Sequence, residues 1–216
     1  MRVCLTFLVA SIAMTLPTLA ADLTFFPKAA KDSDSKQVWT FIEKWYGGHL
    51  KAMKEPSIYE QRSDKKAERF RFLWLRSFHK PVAIRIEKKE SEVKMRVVRL
   101  SGEGGYDPGH IDYDKTIAVT SDQWDRFSKL LVKTSFWGMP REEKTTSVGP
   151  DGTEIVEVRC DGSQWVLEGL EKGTYHVVDR WTPSDDSRRR KLDAYVKCCQ
   201  YLLDLSKLQI PKKDYY

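Results

Sequence analysis

Cysteine is scarce in this chain, four in 216 residues, and no Cys-x-x-Cys pair occurs among them. A thiolate metal site is therefore not expected, the more so because the adjacent Cys198 and Cys199 diverge on one helix. There is no Gly-x-Ser-x-Gly elbow and no local signature of a thiol protease, which removes those hydrolase designs from the reading. Histidine is as sparse: His49, His79, His110 and His176 fall on different segments, and no spacing selects a pair. No Lys/Arg-rich helix face or zinc-finger spacing appears. The net charge of +6 is spread over interspersed acids and bases, so nucleic acid is not an expected partner. Internal repeats and low-complexity stretches are also missing.

What is present begins with Met1 to Ala20. Arg2 precedes an uncharged apolar run, Val3 to Leu16, and Thr18, Leu19 and Ala20 put small residues at the two positions that a signal peptidase reads. The run is short for a membrane span and lacks a basic stop-transfer flank. Residues 1–20 thus read as a cleavable signal peptide, and 21–216 as a single α+β domain without a membrane span, secreted or periplasmic. Cys4 leaves with the leader. Of the three cysteines that remain, Cys160 pairs with Cys198 or Cys199 in one reading, and all three serve as small buried hydrophobes in the other.

Periodicity supplies the elements. Val38, Phe41, Ile42, Trp45 and Met53 recur at helical spacing from Ser35 to about Met53, with Gly47-Gly48 as a potential break. Strands follow over Arg69–Phe78, Pro81–Glu87, Val93–Val97 and Ile111–Val119, a four-strand antiparallel meander expected to be wet on one face. Thr120 and Gln123 form a capping box for a helix over Ser121–Lys133, after which Phe136 and Trp137 plug the core. Arg141–Pro150 reads as an exposed loop. Asp-Gly and Lys-Gly turns separate Glu154–Cys160, Gln164–Leu170 and Thr174–Trp181, a three-strand meander. Ser184, with Asp185 and Asp186 behind it, caps a third helix whose stripe is Leu192, Tyr195, Val196, Cys199, Leu202 and Leu203. The fold class expected is α+β, an antiparallel sheet of four plus three strands packed with three helices.

Gly105-Tyr106-Asp107-Pro108-Gly109, Phe136-Trp137, Asp161-Gly162-Ser163-Gln164-Trp165 and Tyr175 to Pro183 resemble segments of an uncharacterised group of secreted bacterial proteins. The resemblance covers roughly the second half of the chain. It implies export and a shared fold, and carries no activity, ligand or site residue.

Three segments hold candidate chemistry. The glycine loop Ser101–His110 lacks the Lys-Ser/Thr ending and the following helix of a phosphate cradle, which leaves Tyr106 at its tip as a contact for a partner. His110, Asp112 and Asp114 share one strand face, a weak candidate for a divalent ion in a chain for which no metal or other cofactor is expected. On the last strand Tyr175, Val177, Asp179 and Trp181 share one face, and His176, Val178 and Arg180 the other. If Asp179 is inward it needs a partner, an Arg of a neighbouring strand in the plain reading. In the functional reading His176 and Arg180 join Trp165 or Trp181 at a groove rim to grip an anionic or aromatic group. The basic row Arg69, Arg71, Arg85, Lys94 and Arg96 reads as a solvated outer face. The expectation that results is a noncatalytic protein that binds another protein or an envelope component; the alternative is a hydrolase-like enzyme using His176 or His110 with nearby acids.

Overall fold

Alternation of Phe70, Phe72 and Trp74 with Arg71, Leu73 and Leu75 gives the central strand two apolar stripes, and the whole architecture follows from that. The computed structural model describes residues 23–27, 33–143, 146–148, 151, 154–156 and 161–216; residues 1–20, expected to be a leader, and Cys160 lie outside them. Helix α1 (Ser33–Ala52) is followed by strands β1 (Glu68–Arg76), β2 (His79–Lys89), β3 (Glu92–Leu100) and β4 (Ile111–Ala118), then α2 (Ser121–Lys133). After it come β5 (Thr146–Val148), β6 (Glu154–Val156), β7 (Ser163–Glu171), β8 (Thr174–Trp181) and α3 (Asp193–Ser206). Six strands form one antiparallel sheet in the order β4-β3-β2-β1-β7-β8, with Phe72 opposite Ile84 on one side and Leu167 on the other.

Three helices and an antiparallel sheet match the expected class, but the division into four and three strands does not hold. Residues Glu154–Val156 leave the main sheet and pair with Thr146–Val148, inside the segment expected to be a loop, while β7 and β8 join β1 directly. Between β7 and β8 the two turn residues Lys172 (φ 51°) and Gly173 (φ 80°) both take positive φ, the hairpin geometry that fits the strand twist.

The expectation of a wet face is also overturned. One face carries Phe70, Phe72, Trp74, Ile84, Met95 and Trp165 under α2 and α3; the other carries Leu73, Leu75, Val98 and Val166 under Ile42, Tyr46 and Leu50 of α1. The two stripes give three layers, helix on sheet on helix. Gly47 and Gly48 do not break α1. A Cβ at Gly47 would stand 3.2 Å from the Phe25 ring, so the glycine admits that ring against the helix. Val38 lies among the residues of α1 whose side chains are outside the description.

The basic row is not solvated either. Arg71 is fully buried, its Nε 2.7 Å from Glu168 Oε2, and its Nη1 donates to the Pro56 carbonyl at 2.7 Å. Buried Glu55 accepts from Arg85 Nε at 2.8 Å and Arg96 Nη1 at 2.5 Å, and Arg96 also pairs with Asp114. Tyr175 donates to the second oxygen of Glu168 at 2.8 Å. Burial works against the Arg71 charge, yet Glu168 and Glu55 outweigh it and hold the guanidinium above its ordinary pKa. Lys94, farther along the row, is exposed beside Glu92.

Thr120 caps α2 as its sequence indicates, accepting from the Gln123 amide at 3.2 Å while Gln123 Oε1 accepts from the Thr120 amide at 2.9 Å. Thr120→Ala is expected to cost about 1 kcal/mol, read as a lowered denaturant midpoint with unchanged slope. Phe136 is buried and plugs the space above Gly169, but Trp137 is partly exposed. The third helix is capped at Leu192, eight residues past the expected Ser184. Arg190 explains the delay: its guanidinium collects the carbonyls of Trp181, Thr182 and Asp185 and pairs with Glu143, which fixes 182–191 as turns.

Candidate functional site

Where α1 crosses the ends of β1, β7 and β8, the layers part and leave a cavity of about 360 Å³. Helix spacing puts Phe41 and Trp45 one turn apart on its wall, with Tyr46 below them. The glycine loop closes the opposite side. Gly104 (φ 115°) lies against the Ser77 carbonyl, where a Cβ would stand 2.5 Å from that oxygen, and Gly105 donates to the Arg76 carbonyl at 3.1 Å. This close seating, and not an anion cradle, is what the glycines serve; β4 follows the loop. It delivers Tyr106 to the mouth, with its ring centroid 4.9 Å from that of Trp45 and 5.8 Å from that of Phe41, and Trp45 Nε1 donates to the Gly105 carbonyl at 2.9 Å.

Asp179 and Trp181 reach the same cavity from β8. Asp179 does have a partner, though not a neighbouring arginine: Tyr46 donates its hydroxyl to Oδ2 at 2.8 Å. Its Oδ1 is shut off from solvent with no hydrogen-bond partner. Burial raises the Asp179 carboxyl to about 7; the Tyr46 hydrogen bond draws it back, nearby Glu142 pushes it further up, and the charges of Arg180 and Arg141 draw it back again. Burial, with Asp179 adding to it, holds the Tyr46 phenol well above its usual range, so it stays a donor.

The other sequence candidates lie elsewhere. Trp165 is fully buried under α3, its Nε1 donating to Ser163 Oγ and to the main-chain oxygen of Tyr216, both at 2.9 Å. His176 and Arg180 share the opposite sheet face from Asp179, as the alternation predicts, and grip the Met139–Arg141 segment: His176 Nε2 donates to the Met139 carbonyl at 2.9 Å, and Arg180 to those of Pro140 at 2.7 Å and Arg141 at 3.0 Å. Burial lowers the His176 pKa despite the Met139 bond. Arg180 lies directly across from Trp165 in the β7–β8 register, but Trp165 is fully buried and so offers no rim, and Trp181 is on the opposite face. His110 Nδ1 lies 2.9 Å from Ser101 Oγ, Asp112 binds Arg99 and Lys80, and Asp114 binds Arg96, so the three candidate metal ligands are occupied by protein groups. Among the described residues no group of three or more His, Cys, Asp or Glu is placed to hold a metal. Cys198 and Cys199 are buried in α3, their thiols pushed up by burial, that of Cys198 to about 12. The proposed bridge partner Cys160 lies outside the described residues. Among those residues no helix is long and apolar enough to cross a membrane.

Tyr106 and Trp181 were legible as candidates, and Asp179 only as an acid in need of a partner. Phe41, Trp45 and Tyr46 were not, because a helical aromatic stripe reads equally as core; the signal is that Phe41, in that stripe, is about half exposed, 49%. Compared with known proteins, the chain matches no protein-family model, no curated protein and no solved structure.

Proposed function

We propose that this is a noncatalytic binding protein, exported to the periplasm or the exterior, which takes an envelope component into the cavity between α1, the glycine loop and β8. Export rests on the leader pattern of residues 1–20. One observation carries the binding reading: a carboxylate with an unfilled oxygen at a cavity walled by Phe41, Trp45 and Tyr106, two of which leave large apolar rings in water. Folding alone gains little from such an arrangement, since a buried unpaired acceptor is destabilising and an exposed ring adds no burial.

His176 and His110 contact a backbone carbonyl and a serine, not an acid, which supports the noncatalytic reading over a hydrolase. The test pairs tryptophan fluorescence with turnover. Titration with amines, sugars, phosphate esters and short peptides is expected to give one saturable response that weakens at least fivefold in Tyr106→Ala, while that variant melts within about 2 °C of the native protein because Tyr106 is 68% exposed. Turnover of chromogenic ester or phosphate substrates that disappears in His176→Ala or His110→Ala would replace this reading with the hydrolase.

A further inference from the structure

We propose that the ligand of this cavity is an organic cation, an ammonium group on an apolar or aromatic body; the inference rests on the cavity being the binding site. The argument is one of charge and shape. Phe41, Trp45 and Tyr106 present a continuous aromatic wall, with centroids 4.9–5.8 Å apart, and such faces attract a desolvated cation through their quadrupoles. Asp179 and Glu142 line the same space, Glu142 exposed at the mouth. Glu143, also in the lining, is matched by Arg190.

The two nearest arginines of the sheet, Arg76 and Arg180, are turned elsewhere. Arg76 belongs to the lining, but its guanidinium lies over the Trp74 ring at 4.0 Å and donates to the carbonyls of Lys80 and Asp214. Arg180 sits on the far face of the sheet. Arg141 reaches Asp179 with its field, and together with Arg180 it does not overcome the burial of that carboxyl. The lining thus presents Asp179 and Glu142, with Arg141 and Arg180 as the counter-charges that act on Asp179. An anion would add to the negative charge of the lining, and a neutral ligand would bring no counter-charge of its own. An ammonium within roughly 4–6 Å of Asp179 would hold it ionised. At about 360 Å³ the space suits a small molecule or a single headgroup.

Three probes on one phenylethyl body separate the possibilities: 2-phenylethylamine, 2-phenylethanol and 3-phenylpropanoate, titrated calorimetrically into the full chain and its variants. At pH 8 the amine is expected to bind at least tenfold more tightly than the alcohol, with the propanoate weaker still. Asp179→Asn should erase that preference, and Glu142→Gln, an exposed change that leaves the fold alone, should weaken the amine about threefold. Amine affinity should fall about tenfold from pH 8 to pH 5 as Asp179 takes up a proton. Equal affinity for amine and alcohol, or an amine affinity untouched by Asp179→Asn, overturns the cation while leaving the cavity as the site if Tyr106→Ala still weakens binding. No saturable binding of the amine also overturns it. Binding that ignores Tyr106→Ala overturns the inference and the cavity together.

Discussion

Arg71→Ala is expected to lower stability by about 3–5 kcal/mol, the loss that breaking a buried ion pair brings. Glu168 and Arg71 are both fully enclosed between the sheet and the segment that carries Glu55 and Pro56. Removing the guanidinium strands the Glu168 carboxylate in the interior with only the Tyr175 hydroxyl. Glu55 is spared, because Arg85 and Arg96 still hold it. In thermal unfolding the loss corresponds to about 6–20 °C for a domain of this size. Arg71→Met combined with Glu168→Leu is expected to recover at least half of it, since exchanging both members of a buried pair for apolar side chains removes the stranded charge. A double variant as unstable as the sum of the singles would show that the pair contributes through packing alone.

The second large effect has the opposite sign. Asp179→Asn is expected to stabilise the protein at pH 8 by about 2 kcal/mol, or roughly 4–8 °C. Burial raises the carboxyl to about 7 in the fold, against the ordinary aspartate value of 3.8 when unfolded. A raised folded pKa makes its contribution fully present below about pH 4 and lost as pH rises through 7, so the native protein weakens across that window. The gap is about three pH units at about 1.4 kcal/mol each, which sets an upper bound near 4 kcal/mol; the amide's own burial takes part of it back. At pH 4, where the folded carboxyl is protonated and that penalty is gone, the amide's cost stands alone and Asp179→Asn should melt roughly 4–8 °C below the native protein. The groups that act on Asp179 are the Tyr46 phenol, Glu142 and Arg141, with Arg180 acting from the far face of the sheet, and all four are present in both proteins. A melting difference that does not vary with pH would remove the titration of Asp179 as its cause. A residue whose removal strengthens the fold while abolishing amine preference would be one retained for binding.

Much of the fold was legible because the periods are clean. Phe70, Phe72 and Trp74 alternate as strand residues do, Thr120 and Gln123 mark a helix start, and Lys172-Gly173 marks a hairpin. The second covered face was not, and the reason is instructive. Arg69, Arg71, Arg85 and Arg96 occupy the positions that alternation assigns to solvent, yet the same face ends in Leu73, Leu75, Val98 and Leu100, which only a covering helix can bury. Charge read residue by residue concealed a lid whose counter-ions, Glu55 and Glu168, lie far away in sequence. The same long-range problem hid the site. Asp179 announced that it needed a partner, but Tyr46 is 133 residues away and sits in a stripe that looks like ordinary core.

The outer rims of the sheet bear on how the protein tolerates crowding. A bare rim invites another chain to add itself by main-chain pairing. On one side β4 sets Asp112, Asp114 and Lys115 along its length, charges that an added chain would have to strip of water. On the other side the Asp179 amide already donates to the Arg141 carbonyl at 2.7 Å, and Arg180 and His176 fasten the Met139–Arg141 segment beside β8. His176 and Arg180 thus form a selvedge, a finished border where the outer strand already has chain fastened along it.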